Sequence, residues 1–582
     1  MELCNAFFVT VATILGTGIL ALPVELSESG FWPFVVTFFV CFLMQLAVVL
    51  LAVELLQHAH ISMGRSQSNT QENIFETLNF DGFSDAQMPD LHRMGRMFLE
   101  KKWMAQAFDT AVVIHFVAVL ISYTLAGAQA YGNLFALDDF RVLIVPFCVV
   151  YTSFIVFCGN SVRPVISFLT VCKCAALVAV IAAVEVIGHL VDIQQTDNFA
   201  HAMEPFLMGT FALGGVVNLM PVVYAKLPFI GGKLLSEQQK QYAKAQNGLL
   251  LSRFRLSICL GVAFCFVLNI LWCAFVLEVV PQTEAASEAH STPEWLVGKN
   301  ISLARSMAMG EISTIPVIKV IEMNYPSYKW VVVFINMFVI ISVTVSYLTL
   351  GTGLKHMLDG ISLHLEQGHQ RQDDNVELRG ESVEKMNEFH KSEEMLVGKN
   401  DEYDAIFRSV GGEEMLGESS TAARKLRRTK YALYLLGFGL ILAVALLNPQ
   451  GFIVLLSVFG SFALNIECGV FVALMARAVR TNGAFSRQNV PCSLGAHGSL
   501  LERLEIFSTW SFSFAICYDF VTAGEKFGMS AGIWLSISLP ILFLVLGMLF
   551  RSKIVEMCRR NQGLPSYPGS AGNSPYTKVE DG

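Results

Sequence analysis

The sequence predicts an all-α polytopic membrane protein whose first ten transmembrane helices form two halves of five. Three observations favour this fold class. Of the 582 residues, 54% are hydrophobic and 15% are charged, and the mean hydropathy of +0.53 is far above that of a soluble domain. Eleven apolar runs are long enough to cross a bilayer, which takes roughly 20 helical residues. Two of these runs, the first and the sixth, are interrupted by glycine and bounded by proline.

The predicted spans follow one another along the whole chain. They lie at 4–26, 32–57, 105–130, 141–159, 163–187, 205–224, 252–278, 330–354, 431–447, 451–477 and 530–550. The lysines and arginines of the loops assign their sides, because positive charge is retained on the cytoplasmic side. With the N-terminus inside, the basic loops fall inside and the short or acidic loops outside. An eleventh span ending near Phe550 would place Arg551 and Lys553 outside, against this rule. The segment 506–523, which holds Asp519, is therefore a candidate twelfth span or an interfacial helix; eleven remains the preferred count.

The domain organisation follows from these spans and the loops between them. Residues 1–187 form a first five-helix repeat, 205–477 a second repeat, 505–550 the C-terminal span or spans, and 551–582 a flexible tail. The second repeat contains an outer loop at 279–329 and a cytoplasmic insert at 360–430. The insert is polar and poor in aromatic residues, so we expect it to be disordered. Asn300 opens the sequon Asn300-Ile301-Ser302 in the outer loop and is a weak glycosylation candidate.

The first span contains a sequence that is unusual at membrane depth. Gly16 and Gly18 flank Thr17, and Pro23 follows five residues later. These residues weaken helical pairing where lipid offers the backbone no replacement partners. Interrupted helices of this kind form the midplane substrate site of many secondary transporters. The alternative is a close helix contact made possible by small residues.

The sixth span is interrupted in the same way. Gly209, Gly214 and Gly215 lie between Pro205 and Pro221, and this span opens the second set of five as the first span opens the first set. Paired interrupted helices at corresponding positions of two halves indicate an inverted-repeat transporter and its binding site. The pairing favours a functional site over simple glycine packing.

Lys173 lies about ten residues into the fifth span, near the bilayer centre. An ammonium group is costly there and must face protein, water or a carboxylate. Because burial disfavours its charged form, Lys173 is a candidate for carrying a coupling proton, or its fixed charge stands where other transporters bind sodium. The alternative is a structural ion pair with a residue such as Glu467.

Other polar residues in the spans receive more ordinary interpretations. His115 in the third span is more commonly a packing histidine than a proton relay. Glu54 lies near the cytoplasmic end of the second span, from which it can reach water, and is assigned no function. The hydroxyls of Ser342, Thr344 and Ser346 would suit a cation site, although hydroxyls bonded to their own helix are commoner.

Several stretches resemble a known family. The sequence Gly16-Thr17-Gly18-Ile19-Leu20-Ala21-Leu22-Pro23 resembles the first-helix signature of the amino-acid/polyamine/organocation superfamily. Its closest match is the tryptophan/tyrosine permease family, with the related eukaryotic amino acid/auxin permeases nearby. The stretches that further resemble these permeases are Glu54 to His58, Ser167 to Val178 with Lys173, Val343 to Gly353, and Leu447 to Phe452.

The resemblance implies a LeuT-like 5+5 inverted repeat, amino-acid substrates and proton-coupled uptake, with sodium as the alternative coupling ion and no other cofactor. It implies that the backbone near Gly16 and Gly18 holds the substrate carboxylate. The substrate-binding residues predicted on this basis are Gly16, Thr17, Gly18, Ile19, Phe211, Leu213 and Gly214. The bacterial aromatic permeases carry Phe-Gly-Phe-His-Gly in the sixth helix, where this chain has Phe211-Ala212-Leu213-Gly214-Gly215. Aromatic and other neutral amino acids therefore both stay open as substrates.

Other classes of function find less support. The chain has no His-Glu-x-x-His motif, and Gly231-Gly232-Lys233 is followed by Leu234 instead of the serine or threonine of a P-loop. No metal site, enzymatic activity or nucleic-acid partner is expected; the expected partners are an amino acid and the lipid bilayer. The main competitor is a non-transporting amino-acid sensor with the same fold, and a channel is a further alternative. The sequence does not specify which membrane holds the protein.

Overall fold

The computed structural model describes residues 2–67, 89–99, 101–135, 137, 139–191, 193, 195–230, 237–283, 301–392, 414–447, 459–482, 485, 490–494 and 498–526. All regular secondary structure in these residues is helical. Met1–Asp519 form one compact unit, which contains both predicted five-helix repeats. Phe520–Gly582 form a second unit, and its described residues continue the last described helix to Lys526.

The helices follow the predicted order. The first five spans are Glu2–Ile14 with Thr17–Glu25, Phe31–Gln67, Lys102–Leu134, Ile144–Phe157 and Gly159–Val191. The second five are Met203–Leu213 with Val216–Tyr224, Glu237–Val279, Lys329–Ser392, Glu414–Leu447, and a tenth span built from Ser461–Leu464, Asn465–Phe471 and Val472–Thr481. Shorter helices cover Leu91–Phe98, Leu303–Met309 and Thr314–Asn324, and a long one covers Gly498–Lys526.

In the described part of the chain, nine helices are long and apolar enough to cross a membrane, and the bent pair that forms the first span makes ten. These helices coincide with the first ten predicted spans. The prediction of a multi-pass integral membrane protein is therefore confirmed. The predicted eleventh span at 530–550 and the predicted tail lie outside the described residues.

Burial divides the spans into central and peripheral ones. The apolar windows of the third and sixth spans are 89% and 94% buried within the protein, whereas those of the fourth and ninth are 22% and 28% buried. Apolar side chains on the peripheral helices face lipid at no cost, because lipid tails are as apolar as they are. The third and sixth spans therefore form the centre of the protein.

The segment 506–523 belongs to the helix Gly498–Lys526, which follows the tenth span. Its Asp519 is 2% exposed. The two carboxylate oxygens accept hydrogen bonds of 2.8 Å from Ser461 Oγ and from Asn465 Nδ2. These bonds hold the helix against the tenth span, which differs from an interfacial helix whose polar groups face water.

The predicted polar insert is described at its two ends. The eighth helix extends to Ser392 and the ninth begins at Glu414, so both ends of the insert are helical. Glutamate, lysine, arginine, leucine and methionine, which form helices readily, are frequent there. Residues 393–413 lie outside the described residues.

Glu54 differs from the sequence interpretation, because it is buried and does not reach water. Its carboxylate oxygens accept hydrogen bonds of 3.0 Å from Ser493 Oγ and from the Leu494 amide. Gln57, one turn later, exchanges hydrogen bonds of 2.9 and 3.1 Å with the backbone of Cys492. Hydrogen-bond donors from the side chain of Ser493 and the backbone of Leu494, in the segment after the tenth span, explain why a carboxylate can be buried here.

The loop between the seventh and eighth spans covers the predicted outer end of the first span. The amide of Ser313 donates a 2.9 Å hydrogen bond to the Leu20 carbonyl. Gln129 Nε2 in the third span donates to the Gly310 carbonyl at 3.3 Å. This outer loop therefore ties the central helices together on that side.

Candidate functional site

The first span breaks where the sequence predicts. Its half-helices Glu2–Ile14 and Thr17–Glu25 meet at an angle of 42°. Gly16 lies between them with φ −110° and ψ −128°, and no side chain caps the second half-helix at this residue. The amide of Gly16 donates to the Ile14 carbonyl at 2.7 Å, which closes a tight turn and leaves other groups without their intrahelical partners.

The fifth and eighth spans bind the carbonyls freed by this break. The Ala12 carbonyl accepts hydrogen bonds from Lys173 Nζ at 3.3 Å and from Ser346 Oγ at 3.0 Å. Lys173 Nζ also donates to Ser346 Oγ at 3.0 Å. The Leu15 carbonyl accepts from Ser342 Oγ at 2.9 Å. The break is thus held by two serines and an ammonium group from other helices.

This arrangement corrects two interpretations made from the sequence. Ser342 and Ser346 bond to the first span and not to their own helix, while Thr344 faces the hydroxyls of Tyr131 and Tyr151. Lys173 is fully buried, but its described partners are a carbonyl and a hydroxyl, so it forms no ion pair with Glu467. The reason is that the first-span break offers carbonyl acceptors that a continuous helix would have used internally.

The sixth span has the second predicted break. Its half-helices Met203–Leu213 and Val216–Tyr224 are separated by Gly214 and Gly215. Gly215 has φ +79°, in the left-handed region, which favours glycine because it has no Cβ. The two glycines therefore determine where this helix ends and resumes.

The two breaks lie directly against each other. A Cβ on Gly18 would lie 2.6 Å from Ala212 Cα and 2.7 Å from Ala212 Cβ. A Cβ on Gly16 would overlap the hydroxyl of Tyr123 in the third span. Gly18 thus makes the close helix contact that small residues allow, which was the alternative interpretation of this motif. It also lines the cavity between the breaks.

This central cavity has a free volume of about 20 Å³, which is about the space that one water molecule needs. Its lining residues come from the first, third, sixth and eighth spans. They are Thr13, Ile14, Gly18, His115, Val119, Tyr123, Phe211, Ala212, Gly214, Gly215 and Leu350. An amino acid would fit only if the helices around the cavity move apart.

The predicted substrate-binding residues divide into three groups. Gly18, Phe211 and Gly214 line the central cavity. The side chains of Ile19 and Leu213 are fully buried in the apolar core and are not lining residues of the cavity. Gly16 and Thr17 flank the break, where Thr17 begins the second half-helix. Asn300 lies outside the described residues.

The sequence did not identify the residues that the third span contributes to the lining of the central cavity. His115, Val119 and Tyr123 are spaced four residues apart, so they follow one ridge of the helix. The imidazole of His115 and the ring of Phe211 are in edge contact, with centroids 6.4 Å apart. The spacing of two polar aromatic residues on one ridge is the signal that would have identified this face.

His115 and Glu467 form a buried pair beside the cavity. His115 Nδ1 lies 2.9 Å from Glu467 Oε2 and 3.0 Å from Asn218 Nδ2 of the sixth span. His115 is 2% exposed and Glu467 1%. Glu467 belongs to a π-helical stretch, Asn465–Phe471, a local widening of a helix that is frequent at functional sites.

Two further cavities continue from the central one toward the predicted cytoplasmic side. The first, of about 10 Å³, shares Thr13 with the central cavity. The second, of about 50 Å³, shares Val9, Leu219 and Val223 with the first and reaches Lys226. Both cavities are lined by residues of the half-helices Glu2–Ile14 and Val216–Tyr224, so they lie one after the other from the centre toward one side.

One group of side chains could hold a metal ion. Ligand atoms of Glu28, His201 and Glu204 lie within 4.8 Å of one another at the predicted outer ends of the first and sixth spans. His201 Nδ1 is 2.9 Å from Glu28 and 3.8 Å from Glu204, and all three side chains are partly exposed. Exposed groups of this kind are ordinary surface ion pairs, and we assign them no role.

Comparison with known proteins agrees with this architecture. The model of the tryptophan/tyrosine permease family matches residues 1–79, the part of the chain that holds the first broken span. A search of curated proteins found no match to the chain. The predicted resemblance to permeases is thus confirmed over its most specific stretch.

Solved structures confirm the fold over nearly the whole chain. The manganese transporter of Eremococcus coleocola, in complex with an aromatic bis-isothiourea compound, matches with a TM-score of 0.53 and 10% identity, covering 95% of this chain and 94% of that one. A mutant of the same transporter matches with a TM-score of 0.50 and 9% identity over the same shares. The all-α, LeuT-like fold is confirmed, and with the family match it supports transport and not catalysis as the chain's function.

Proposed function

We propose that this permease-like chain is a secondary active transporter of neutral amino acids, which bind between the broken first and sixth helices. The observation that carries the proposal is the direct meeting of the two breaks, with Gly18 against Ala212, around a buried central cavity. Two interrupted helices at one point of the membrane leave backbone groups unpaired only where they serve a ligand or a cavity.

The second half-helix of the first span supplies the carboxylate site. It begins at Thr17, and no side chain caps it. The first amides of a helix have no intrahelical acceptor and carry a partial positive charge, so they attract an anion. Gly18 in this first turn lines the cavity. A substrate carboxylate would accept hydrogen bonds from these amides.

The rest of the lining favours a substrate side chain without charge. None of the lining residues is aspartate, glutamate, lysine or arginine, and Ile14, Val119, Phe211 and Leu350 offer apolar surface. A charged side chain would be left without a partner of opposite sign in a water-poor site. Aromatic and aliphatic neutral amino acids are both compatible with this lining.

Lys173 supports a proton, and not sodium, as the coupling ion. Its ammonium lies between the Ala12 carbonyl and Ser346 Oγ, two oxygen ligands of the kind that a sodium ion would need. A lysine there provides a built-in cation and makes a bound sodium unnecessary. By holding the end of the first half-helix, Lys173 would also control the movement of that helix, which is the gating role predicted for it.

In alternating access, the site would open in turn to the side that the outer loop covers and to the side with the two further cavities. The outer loop is bonded to the first span through Ser313 and Leu20, so opening outward requires that contact to break. On the other side, the half-helices Glu2–Ile14 and Val216–Tyr224 border the two further cavities. Movement of these half-helices away from the centre of the protein would release the substrate toward the cytoplasm.

Reconstituted protein provides the direct test. Purified protein in liposomes is given a labelled mixture of amino acids under a proton gradient and, separately, under a sodium gradient. Saturable accumulation under the proton gradient alone is the expected result. Binding without accumulation under either gradient would favour a sensor, and accumulation under the sodium gradient would contradict the role given to Lys173.

A further inference from the structure

His115 has the surroundings of an oriented proton acceptor. Its imidazole lies on the third span, next to Phe211, with Nδ1 2.9 Å from a carboxylate oxygen of Glu467. A neutral imidazole carries one N–H, and an ionised carboxylate only accepts hydrogen bonds. Nδ1 cannot both donate to Glu467 and accept from Asn218 Nδ2, 3.0 Å away. The bond to the charged carboxylate is the stronger one, which places the proton of a neutral His115 on Nδ1 and leaves a lone pair on Nε2.

The other edge of the ring faces the break of the sixth helix. A Cβ on Gly215 would lie 3.6 Å from Cε1 and 3.9 Å from Nε2 of His115, so this edge lies beside a backbone position that has no side chain. His115 also lines the central cavity. Within the described part of the chain, the polar atoms within hydrogen-bond distance of the ring are Glu467 Oε2 and Asn218 Nδ2, and both lie at Nδ1. Nε2 is therefore the atom available to the cavity.

We propose, on the basis of the transport function above, that His115 Nε2 binds the proton that drives uptake, with Glu467 as the residue that positions and stabilises the charged ring. Nε2 takes a proton from the outer solution and becomes part of an imidazolium–carboxylate pair. It returns the proton to water on the cytoplasmic side. No bond other than N–H forms or breaks.

The charges of the pair explain how proton binding would control movement. Before the proton binds, Glu467 with a neutral His115 carries a net charge of −1 in a buried place; afterwards the pair is neutral. An unbalanced charge is costly away from water. The protonated, neutral pair therefore favours the closed state, which the helices must pass through as the site changes from one side of the membrane to the other. Asn218 lies on the sixth span and would leave Nδ1 as that helix moves.

Among the described residues, Glu467 is the charged group within hydrogen-bond distance of the ring. The groups that face the pair from neighbouring elements are Thr13, Asn218, Gly215, Phe211, Tyr123 and Cys468, whose thiol lies 3.8 Å from Glu467 Oε1. Lys173 instead bonds to Ala12 and Ser346 and is not a lining residue of the central cavity. The geometry thus separates a proton site at His115 from a gating cation at Lys173.

The test compares two assays on the same liposomes. The His115→Gln variant changes a residue that lines the cavity, so its own counterflow, the exchange of internal for external labelled amino acid, is measured as the reference for its accumulation. Under an imposed gradient of about one pH unit, one proton per substrate can drive about tenfold accumulation, and the variant should lose this accumulation completely. Glu467→Gln keeps the shape of a side chain that is not a lining residue of the cavity, but it leaves a protonated His115 without a balancing charge; it should keep counterflow and lose most of the accumulation.

His92 supplies a matched control. It is a buried histidine whose Nδ1 lies 2.9 Å from Asp109 Oδ2, but it lies on the short helix Leu91–Phe98, away from the central cavity. His92→Gln should accumulate substrate as the wild type does. Monodisperse elution of each variant on size exclusion confirms folding. If His115→Gln does not fold or shows no counterflow, accumulation by Glu467→Gln decides.

The possible outcomes separate the two proposals. Unchanged accumulation by His115→Gln or by Glu467→Gln would overturn the proton site while the transport function stands. Loss of counterflow by a folded Glu467→Gln would also overturn it, since Glu467 would then be needed for substrate exchange itself. If the wild type shows neither counterflow nor accumulation, the transport function fails.

Discussion

Replacing Gly18 by alanine tests the site at its closest contact. The added methyl group would lie 2.6 Å from Ala212 Cα and 2.7 Å from Ala212 Cβ. Carbon atoms prefer a separation of about 3.5–4.0 Å, so the first and sixth half-helices must move apart by about 1 Å. Overpacking of this size costs about 1–3 kcal/mol of stability. A displacement of about 1 Å in a preorganised site costs up to about 100-fold in efficiency.

Initial rates of uptake into liposomes measure this effect. We expect Gly18→Ala to lower uptake efficiency by about 10- to 100-fold and thermal stability only modestly. Ala212→Gly in the same chain should restore only part of the activity, because Ala212 Cα is as close as its Cβ. Gly439→Ala is the control, since a Cβ there would meet nothing within 4 Å. Wild-type uptake by Gly18→Ala would show that the breaks do not bind substrate.

Two further substitutions test the surroundings of the site. Lys173→Met removes the ammonium group that binds Ala12 and Ser346, and the methionine side chain fills its space. We expect a folded protein with at least about tenfold slower counterflow and uptake. Normal counterflow without proton-driven accumulation would instead place the coupling proton on Lys173. Glu54→Gln removes one of the two acceptor oxygens that bind the segment 490–494. It should lower the stability of the protein by about 1–3 kcal/mol and speed proteolysis of that segment. Unchanged proteolysis would show that Glu54 does not hold the segment in place.

The sequence predicted the fold well because membrane spans are a local property. Every span needs its own apolar run, and both breaks need glycine within such a run, so the breaks at Gly16 and at Gly214–Gly215 could be placed without a structure. The motif from Gly16 to Pro23 also indicated the permease resemblance. Long-range partners left no such signal, and there the predictions for Glu54, Ser342 and Ser346 were wrong.

The sequence by itself determined that this is a multi-pass helical membrane protein with two broken helices and a buried lysine. Only the tertiary structure decided which groups meet. It placed Lys173 on the freed carbonyl of Ala12, and it brought His115 and Glu467 together from spans 352 residues apart. The physical reason is that hydropathy and helix breaking depend on neighbours in the chain, whereas the partner of a buried polar group depends on how distant helices pack.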